Sequence, residues 1–164
     1  MVKIIVIVGG SSDIAKSTIS SISTENYKFH ALVRDDSHTD ELSGLGVNVI
    51  LGDATSEEDI KNFISGVKES GEIHAILHCV GSFAVRPPHA MNKEAFEAVI
   101  STNLTSAFLT LSIAGKAMLS QGHGRMVFMS SVAGSLGLVN HEAISAAKGG
   151  IESMVRSAAA TYAN

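Results

Sequence analysis

Five short apolar runs recur along the chain, separated by longer segments of helical periodicity. KIIVIVG (3–9), FHALVR (29–34), VNVIL (47–51), IHAILHCVG (73–81) and RMVFMSS (125–131) are almost unbroken by charge. Continuous apolar runs of this length fit strands covered on both faces, whereas half-exposed strands alternate. Residues 13–22, 56–69, 92–119 and 142–163 repeat apolar positions at helical spacing, and 36–44 predicts a short helix or a turn. Ser12 or Asp13, Ser56 and Asn103 are candidate N-terminal caps. Alternation of strand and helix predicts parallel strands joined by right-handed crossovers. The expected product is one α/β domain over 1–164, a doubly wound sheet with helices on both faces.

Composition narrows the setting. At 164 residues, 45% of them hydrophobic and 17% charged, the chain is long enough to bury a core without disulfide or metal staples. The mean hydropathy is +0.26, yet polar residues interrupt the apolar stretches too often for a membrane span. The start, MVKIIVIVGG, has no small-residue cleavage site behind it and reads as a buried strand, not a signal peptide. Cys79 is the only cysteine, which excludes an intrachain disulfide and fits a reducing compartment, so a cytoplasmic location is expected. A formal net charge of -4, without clusters of Lys or Arg, argues against a nucleic-acid partner.

In a doubly wound sheet, a ligand binds beyond the carboxyl ends of the strands where strand order reverses. After the first strand comes GGSSDIAKS (9–17), a Gly/Ser turn opening a helix. Gly9, Ser11, Ser12, Asp13 and Ile14 are its candidate phosphate-binding positions, because free N–H groups and the helix dipole suit a pyrophosphate. Alone, the same residues describe any tight strand-to-helix turn. His74 and His78 lie four apart, but on a strand that spacing brings no convergent ligand set, so no metal is expected.

Six segments taken together carry more information: VGGSSDIA (8–15), GDAT (52–55), HCVG (78–81), STNLTSAFLTLSIAGKAM (101–118), GRMVFMSSVAG (124–134) and AAKGGIESMVRSAAATYA (146–163). In this order and spacing the chain resembles the short-chain dehydrogenase/reductase family from Lys3 to Asn164. The resemblance implies a Rossmann-like sheet in the order 3-2-1-4-5 and a nicotinamide dinucleotide cofactor. It implies that Asp53 accepts a bond from the adenine amino group, that Ala54 contacts the ring, and that Cys79, Val80 and Gly81 line the adenosine ribose. It further implies that Asn103 holds a water in a proton path, that Ser131 is the catalytic serine, and that Lys148 is the active-site lysine. Bare sequence also allows Asn103 as a helix cap and Asp53 as a turn residue. Arg34, at the end of the second strand, offers a planar fork to a 2'-phosphate where an acidic residue would read a 2'-hydroxyl, favouring NADP(H) over NAD(H). Its alternative is a solvated arginine paired with Asp35 or Asp36.

The chain departs from the family pattern at three places. Asp13 and Ala15 stand at the second and third glycine positions of the turn, and a carboxylate there repels a pyrophosphate unless it points away. Ile144 stands thirteen positions after Ser131 and four before Lys148, where the family has its proton-transferring tyrosine. Residues i and i+4 share a helix face, so Ile144 is expected beside Lys148. His141 is the first candidate substitute, as a side chain that titrates near neutrality, although an exposed loop histidine would read the same. Ser145 and Lys148 are further candidates, whereas Tyr27 and Tyr162 are not placed to serve. Family members also continue beyond this length with the substrate-covering region, so the chain is either a fragment or one whose fifth strand needs covering. Self-association as a dimer or tetramer through the helices after Asn103 and Lys148 is the expected cover. Two functions follow: an oxidoreductase acting on a small carbonyl or alcohol substrate, or a dinucleotide-binding scaffold without turnover.

Overall fold

A computed structural model of the chain describes residues 3–22 and 26–163. Met1 and Val2, at the start of the first apolar run, lie outside the described residues. Five strands, β1 (Lys3–Val8), β2 (Tyr27–Val33), β3 (Val47–Leu51), β4 (Ile73–His78) and β5 (Arg125–Phe128), form one parallel sheet in the order β3-β2-β1-β4-β5. Helices α1 (Asp13–Ser21), α2 (Thr39–Gly44), α3 (Glu57–Glu69), α4 (Lys93–Ile100), α5 (Ser106–Gln121) and α6 (Glu142–Thr161) flank it or follow it in the chain. The doubly wound parallel sheet predicted from the pattern is therefore observed, in the Rossmann-like strand order that the family resemblance implies. β1 is buried from Ile4 to Val8, as expected of a strand with both faces covered.

Two predicted strands are longer than the observed ones. Residues 79–81 leave the sheet after His78, and residues 129–131 leave it after Phe128. None of these residues is buried, and composition alone does not separate such a strand exit from pairing in a sheet. Segment 36–44 splits into a single 3₁₀ turn at Asp36–His38 and the short α2.

The chain groups into two compact units, Met1–Cys79 with Leu109–Val127 and Val80–Phe108 with Phe128–Asn164. The first contains nearly all of the sheet, with a core that includes Phe29, Leu32, Ile60, Phe63 and Ile76. Its helices begin as the sequence predicts. The Ser12 hydroxyl accepts from Ala15 N at 3.2 Å to cap α1, and the Ser56 hydroxyl accepts from Asp59 N at 3.2 Å to cap α3.

The second unit is built on the start of a long helix and on α6. Val99, Ala133, Ala143, Ile144 and Ala147 form its buried cluster, with Ala84, Met91, Ile100 and Leu104 packed against them. Asn92, not Asn103, caps the long helix, its side chain accepting from Ala95 N at 2.9 Å. The helix from Lys93 to Gln121 is continuous over 29 residues, with a mean hydropathy of 1.4 in its most apolar window. Length and composition alone would let it cross a membrane. Asn103, Ser106, Thr110 and Ala114 on it are fully buried within the protein, whereas the window as a whole is 39% buried.

Candidate functional site

In this strand order the chain runs outward from β1 through β2 to β3, then returns to place β4 on the other side of β1. The crevice outside the carboxyl ends of β1 and β4 is therefore the switch point at which open α/β sheets bind ligands. Gly9 follows β1 with φ of 86°, a conformation that favours glycine. Gly9 N and Gly10 N both donate to Leu32 O, at 3.0 and 3.1 Å. A Cβ at Gly10 would lie 2.7 Å from the Ala31 Cβ, so only glycine lets the turn lie this close to β2. The sequence reading did not single out Gly10; the GG pair was its signal.

Asp13 does not close off this turn. Ser12 serves as the cap, while the Asp13 side chain is fully exposed and sits 3.6 Å from Lys16 Nζ. Its carboxylate is thus turned to solvent with a cation beside it. Ser11 is half-buried and Ile14 is 53% exposed, unusual for a residue of its size at the start of a helix.

Arg34 and Asp53 follow β2 and β3. Arg34 is exposed, and among the described residues no ion pair joins it to Asp35 or Asp36. Arg34 is thus solvated without a direct ion pair, although its charge contributes to lowering the Asp35 pKa. Asp35 instead accepts from the hydroxyl and the backbone N of Ser37, which hold its carboxyl below the usual range. Asp53 Oδ1 accepts from Thr55 N and Thr55 Oγ1, each at 2.8 Å, and these bonds likewise lower its pKa, with a smaller contribution from the Arg34 charge. Asp53 is an anion at neutral pH whose Oδ1 is engaged in a turn. Ala54 beside it is buried. Cys79 N donates to Val8 O at 2.8 Å, which keeps the chain on β1 one residue past the end of β4.

The second unit holds the other candidates. Ser101–Thr105 is a π-helical turn between α4 and α5, an inserted-residue feature common at functional sites. It places Asn103, fully buried, so that Oδ1 accepts from Ser82 N at 3.1 Å and Nδ2 donates to Ser82 Oγ at 2.9 Å and Val99 O at 3.0 Å. The helix-cap alternative for Asn103 is thereby corrected: the residue is interior to a helix, and its amide binds Ser82 in the strand-exit loop and the Val99 carbonyl one turn back. A Cβ at Gly81 would lie 3.2 Å from Asn103 Oδ1 and 3.5 Å from Lys148 Nζ. Gly81, Asn103 and Lys148 therefore converge, with Val80 preceding them in the loop. Lys148 is buried, its Nζ donating to Met129 O at 2.9 Å.

Ser131 caps a 3₁₀ turn at Val132–Gly134, its Oγ accepting from Ala133 N at 3.2 Å. Ile144 is 4% exposed in the apolar cluster. His141 enters α6 without capping it; its Nδ1 lies 2.7 Å from Val139 O and its ring meets Phe83 edge-on at 6.0 Å. A carbonyl cannot donate, so Nδ1 carries the proton and Nε2 is the nitrogen left for acid–base exchange. Ser82 and the Met129 carbonyl, missed in the sequence, complete the polar set, and no residue pattern announced either. Among the described residues no three His, Cys, Asp or Glu side chains gather as a metal would require.

Comparison with known proteins identifies the family. The family model described as short chain dehydrogenase matches residues 3–164. The chain is 26% identical over 166 residues to the tropinone reductase homolog At2g29370 of Arabidopsis thaliana, covering 96% of this chain and 62% of that protein. It is 28% identical over 155 residues to the 3-oxoacyl-(acyl-carrier-protein) reductase MabA of Mycobacterium bovis, covering 94% and 61%. The chain thus spans less than two thirds of either relative. Among solved structures, ElxO with NADP bound superposes with a TM-score of 0.92 at 21% identity, covering 99% of this chain and 69% of that one. NAD+-bound xylitol dehydrogenase gives 0.92 at 24% identity, covering 98% and 65%. These two likenesses establish the fold and leave the choice of dinucleotide open.

Proposed function

From the premise that this chain belongs to the short-chain dehydrogenase family, we propose that it is a cytoplasmic NADP(H)-dependent oxidoreductase acting on a small carbonyl or alcohol. The observation that carries the reading is the convergence of Asn103 Oδ1 and Lys148 Nζ on Gly81. A buried ammonium and a buried amide thus stand beside a residue with no side chain to come between them and the strand-exit loop.

The residues present fit a dinucleotide. The turn at Gly9 and Gly10 has no side chain in the way, Asp13 is turned out, and Arg34 is exposed and unspent in ion pairs among the described residues. In this assignment Gly9, Ser11, Ser12 and Ile14 hold the pyrophosphate at the start of α1. Arg34 holds a 2'-phosphate, Asp53 and Ala54 hold the adenine, and Cys79, Val80 and Gly81 hold the ribose. Lys148 donates to the nicotinamide ribose, and Asn103, braced by Ser82, keeps a water beside the lysine. When bound, the cofactor supplies or accepts the hydride. Ser131 donates from Oγ to the substrate oxygen, which requires its hydroxyl to keep accepting from Ala133 N while its own proton points away.

Ile144 stands in the tyrosine's place and can neither give nor take a proton. Positioned proton transfer is worth roughly 10² to 10⁴ in rate, so its substitute determines whether turnover is useful. His141 takes this role in our assignment, because the Val139 carbonyl fixes its tautomer and leaves Nε2 for exchange. A second reading, a dinucleotide-binding scaffold without turnover, draws on the burial of Ile144 among Val99, Ala133, Ala143 and Ala147. We further assign the chain to a homo-oligomer, since Phe108, Leu119 and Val155 leave apolar surface on α5 and α6 and Val127 is exposed on the edge strand β5.

Titration of the purified protein with NADPH and NADH, followed by cofactor fluorescence, tests the assignment. Micromolar NADPH binding, weaker NADH binding and a loss of that preference in Arg34→Glu are expected. No binding of either by the folded chain would refute it.

A further inference from the structure

Glu152 has no part in the family pattern or in the assignment above, yet three of the hydrogen bonds around the second unit's site end on it. Ser130 Oγ lies 2.9 Å from Glu152 Oε1, and Ser135 Oγ lies 3.0 Å from Oε1 and 3.1 Å from Oε2. Ser130 Oγ is also 3.2 Å from the Lys148 carbonyl. A hydroxyl has one proton, so Ser130 gives it to the carboxylate or to that carbonyl, and either choice ties the loop to α6. Glu152 lies one helical turn after Lys148, on the same face. Ser130 directly precedes Ser131, and Ser135 closes the turn that Ser131 caps.

The packing confirms how close the two segments lie. A Cβ at Gly134 would lie 2.8 Å from Glu152 Oε1, 3.0 Å from Gly149 N and 3.1 Å from the Lys148 carbonyl carbon. A Cβ at Gly149 would lie 3.3 Å from Gly134 O. Glycine on both sides brings the loop against the helix backbone, and the carboxylate then clamps it with a charge-assisted bond from Ser135 and a second from Ser130 whenever that hydroxyl gives its proton to Glu152.

We infer that Glu152 is a positioning residue: it locks the loop 130–135 onto α6 and so holds Ser131 in register with Lys148. The inference rests on the oxidoreductase reading for what that register serves, and on geometry alone for the lock. Loosening first-contact groups by an ångström is costly to a binding or catalytic site, so the lock is expected to matter for cofactor affinity as well as for local order.

The test compares Glu152→Leu, which keeps bulk and removes both acceptors, with Glu152→Gln, which keeps Oε1 as an acceptor. Amide hydrogen exchange of residues 129–137 and NADPH titration are read on each. Glu152→Leu is expected to speed exchange in that segment by about tenfold and to weaken NADPH binding by about fivefold, with Glu152→Gln within about twofold of the parent in both. Rescue by the glutamine separates the hydrogen bonds from mere bulk. Unchanged exchange in Glu152→Leu overturns the lock; faster exchange with unchanged NADPH affinity overturns its role at the site. If the parent chain itself fails to bind NADPH, the oxidoreductase reading falls and the exchange comparison still decides the lock. Should Glu152→Leu not fold, the double variant Ser130→Ala with Ser135→Ala removes the same bonds from the other side, and the same outcomes apply.

Discussion

Replacing Lys148 by Met removes a buried ammonium while keeping an unbranched side chain of similar length, and the structure predicts opposite sizes of effect on stability and on binding. The Nζ bond to Met129 O, 2.9 Å long, has a charged donor and contributes about 1.5–3 kcal/mol. Against it stands the cost of holding an ammonium at 7% exposure, several kcal/mol for a buried ion. These contributions oppose each other, so the net change in folding stability is expected to stay within about 2 kcal/mol. Cofactor binding has no such compensation. Loss of one or two charge-assisted bonds to ribose hydroxyls weakens it by about 1.5–3 kcal/mol, or roughly 10- to 100-fold in Kd. The assay is NADPH fluorescence titration of parent and variant, with thermal unfolding of both in the same buffer. An NADPH Kd within about twofold of the parent, in a variant that melts like the parent, would refute the placement of the nicotinamide ribose at Lys148.

Three further outcomes follow. Gly10→Ala forces a Cβ to 2.7 Å from the Ala31 Cβ and is expected to destabilise the chain by about 1–3 kcal/mol, the usual penalty for overpacking, as read from denaturant midpoints. His30 is 6% exposed, accepts at Nδ1 from Asn48 Nδ2 at 3.0 Å, and has its pKa lowered by burial first and by the Lys28 charge second. Above the ordinary value of 6.5 both folded and unfolded chains are neutral there. Below it the unfolded chain takes up a proton first, so stability falls with falling pH, by at most about 1.4 kcal/mol per pH unit from this group; a His30→Gln variant should show a shallower slope between pH 6.5 and the lowered folded value, and an identical slope would count against the burial argument. Ile144→Tyr should raise the rate of carbonyl reduction by about 10² or more if a positioned acid is what the site lacks, whereas His141→Ala should abolish residual turnover in the parent and matter less in the tyrosine variant. A kinetic cycle of the four proteins, measured across pH, checks both statements at once.

Strand content was legible because parallel strands buried on both faces, as β1 and most of β2 are, must be apolar throughout; β3 and β5 are apolar runs that the structure leaves largely part-exposed, against that expectation. Ser12 and Ser56 were legible as caps for an equally local reason, the serine oxygen reaching an amide three residues on. Asn103 was harder. Its place inside a π turn depends on one residue's extra insertion in the helix, which leaves no periodic mark, and its partners at Ser82 lie 21 positions away. Glu152 stayed invisible for a related reason. A glutamate on a helix predicts a solvated carboxylate, and only the loop packed through Gly134 turns it into an acceptor for Ser130 and Ser135.

By itself, then, the succession of apolar runs and helical segments determined a doubly wound parallel sheet, and the spacing of Ser131, Ile144 and Lys148 raised the expectation of a family site with isoleucine at the tyrosine position. These properties are local: each depends on residues within a strand, a turn or two adjacent helical turns. Tertiary structure alone decided that Asn103 and Lys148 meet at Gly81 and that Glu152 accepts from Ser130 and Ser135. Such facts are set by approach distances between segments far apart in the chain, to which the periodicity of any one segment is blind.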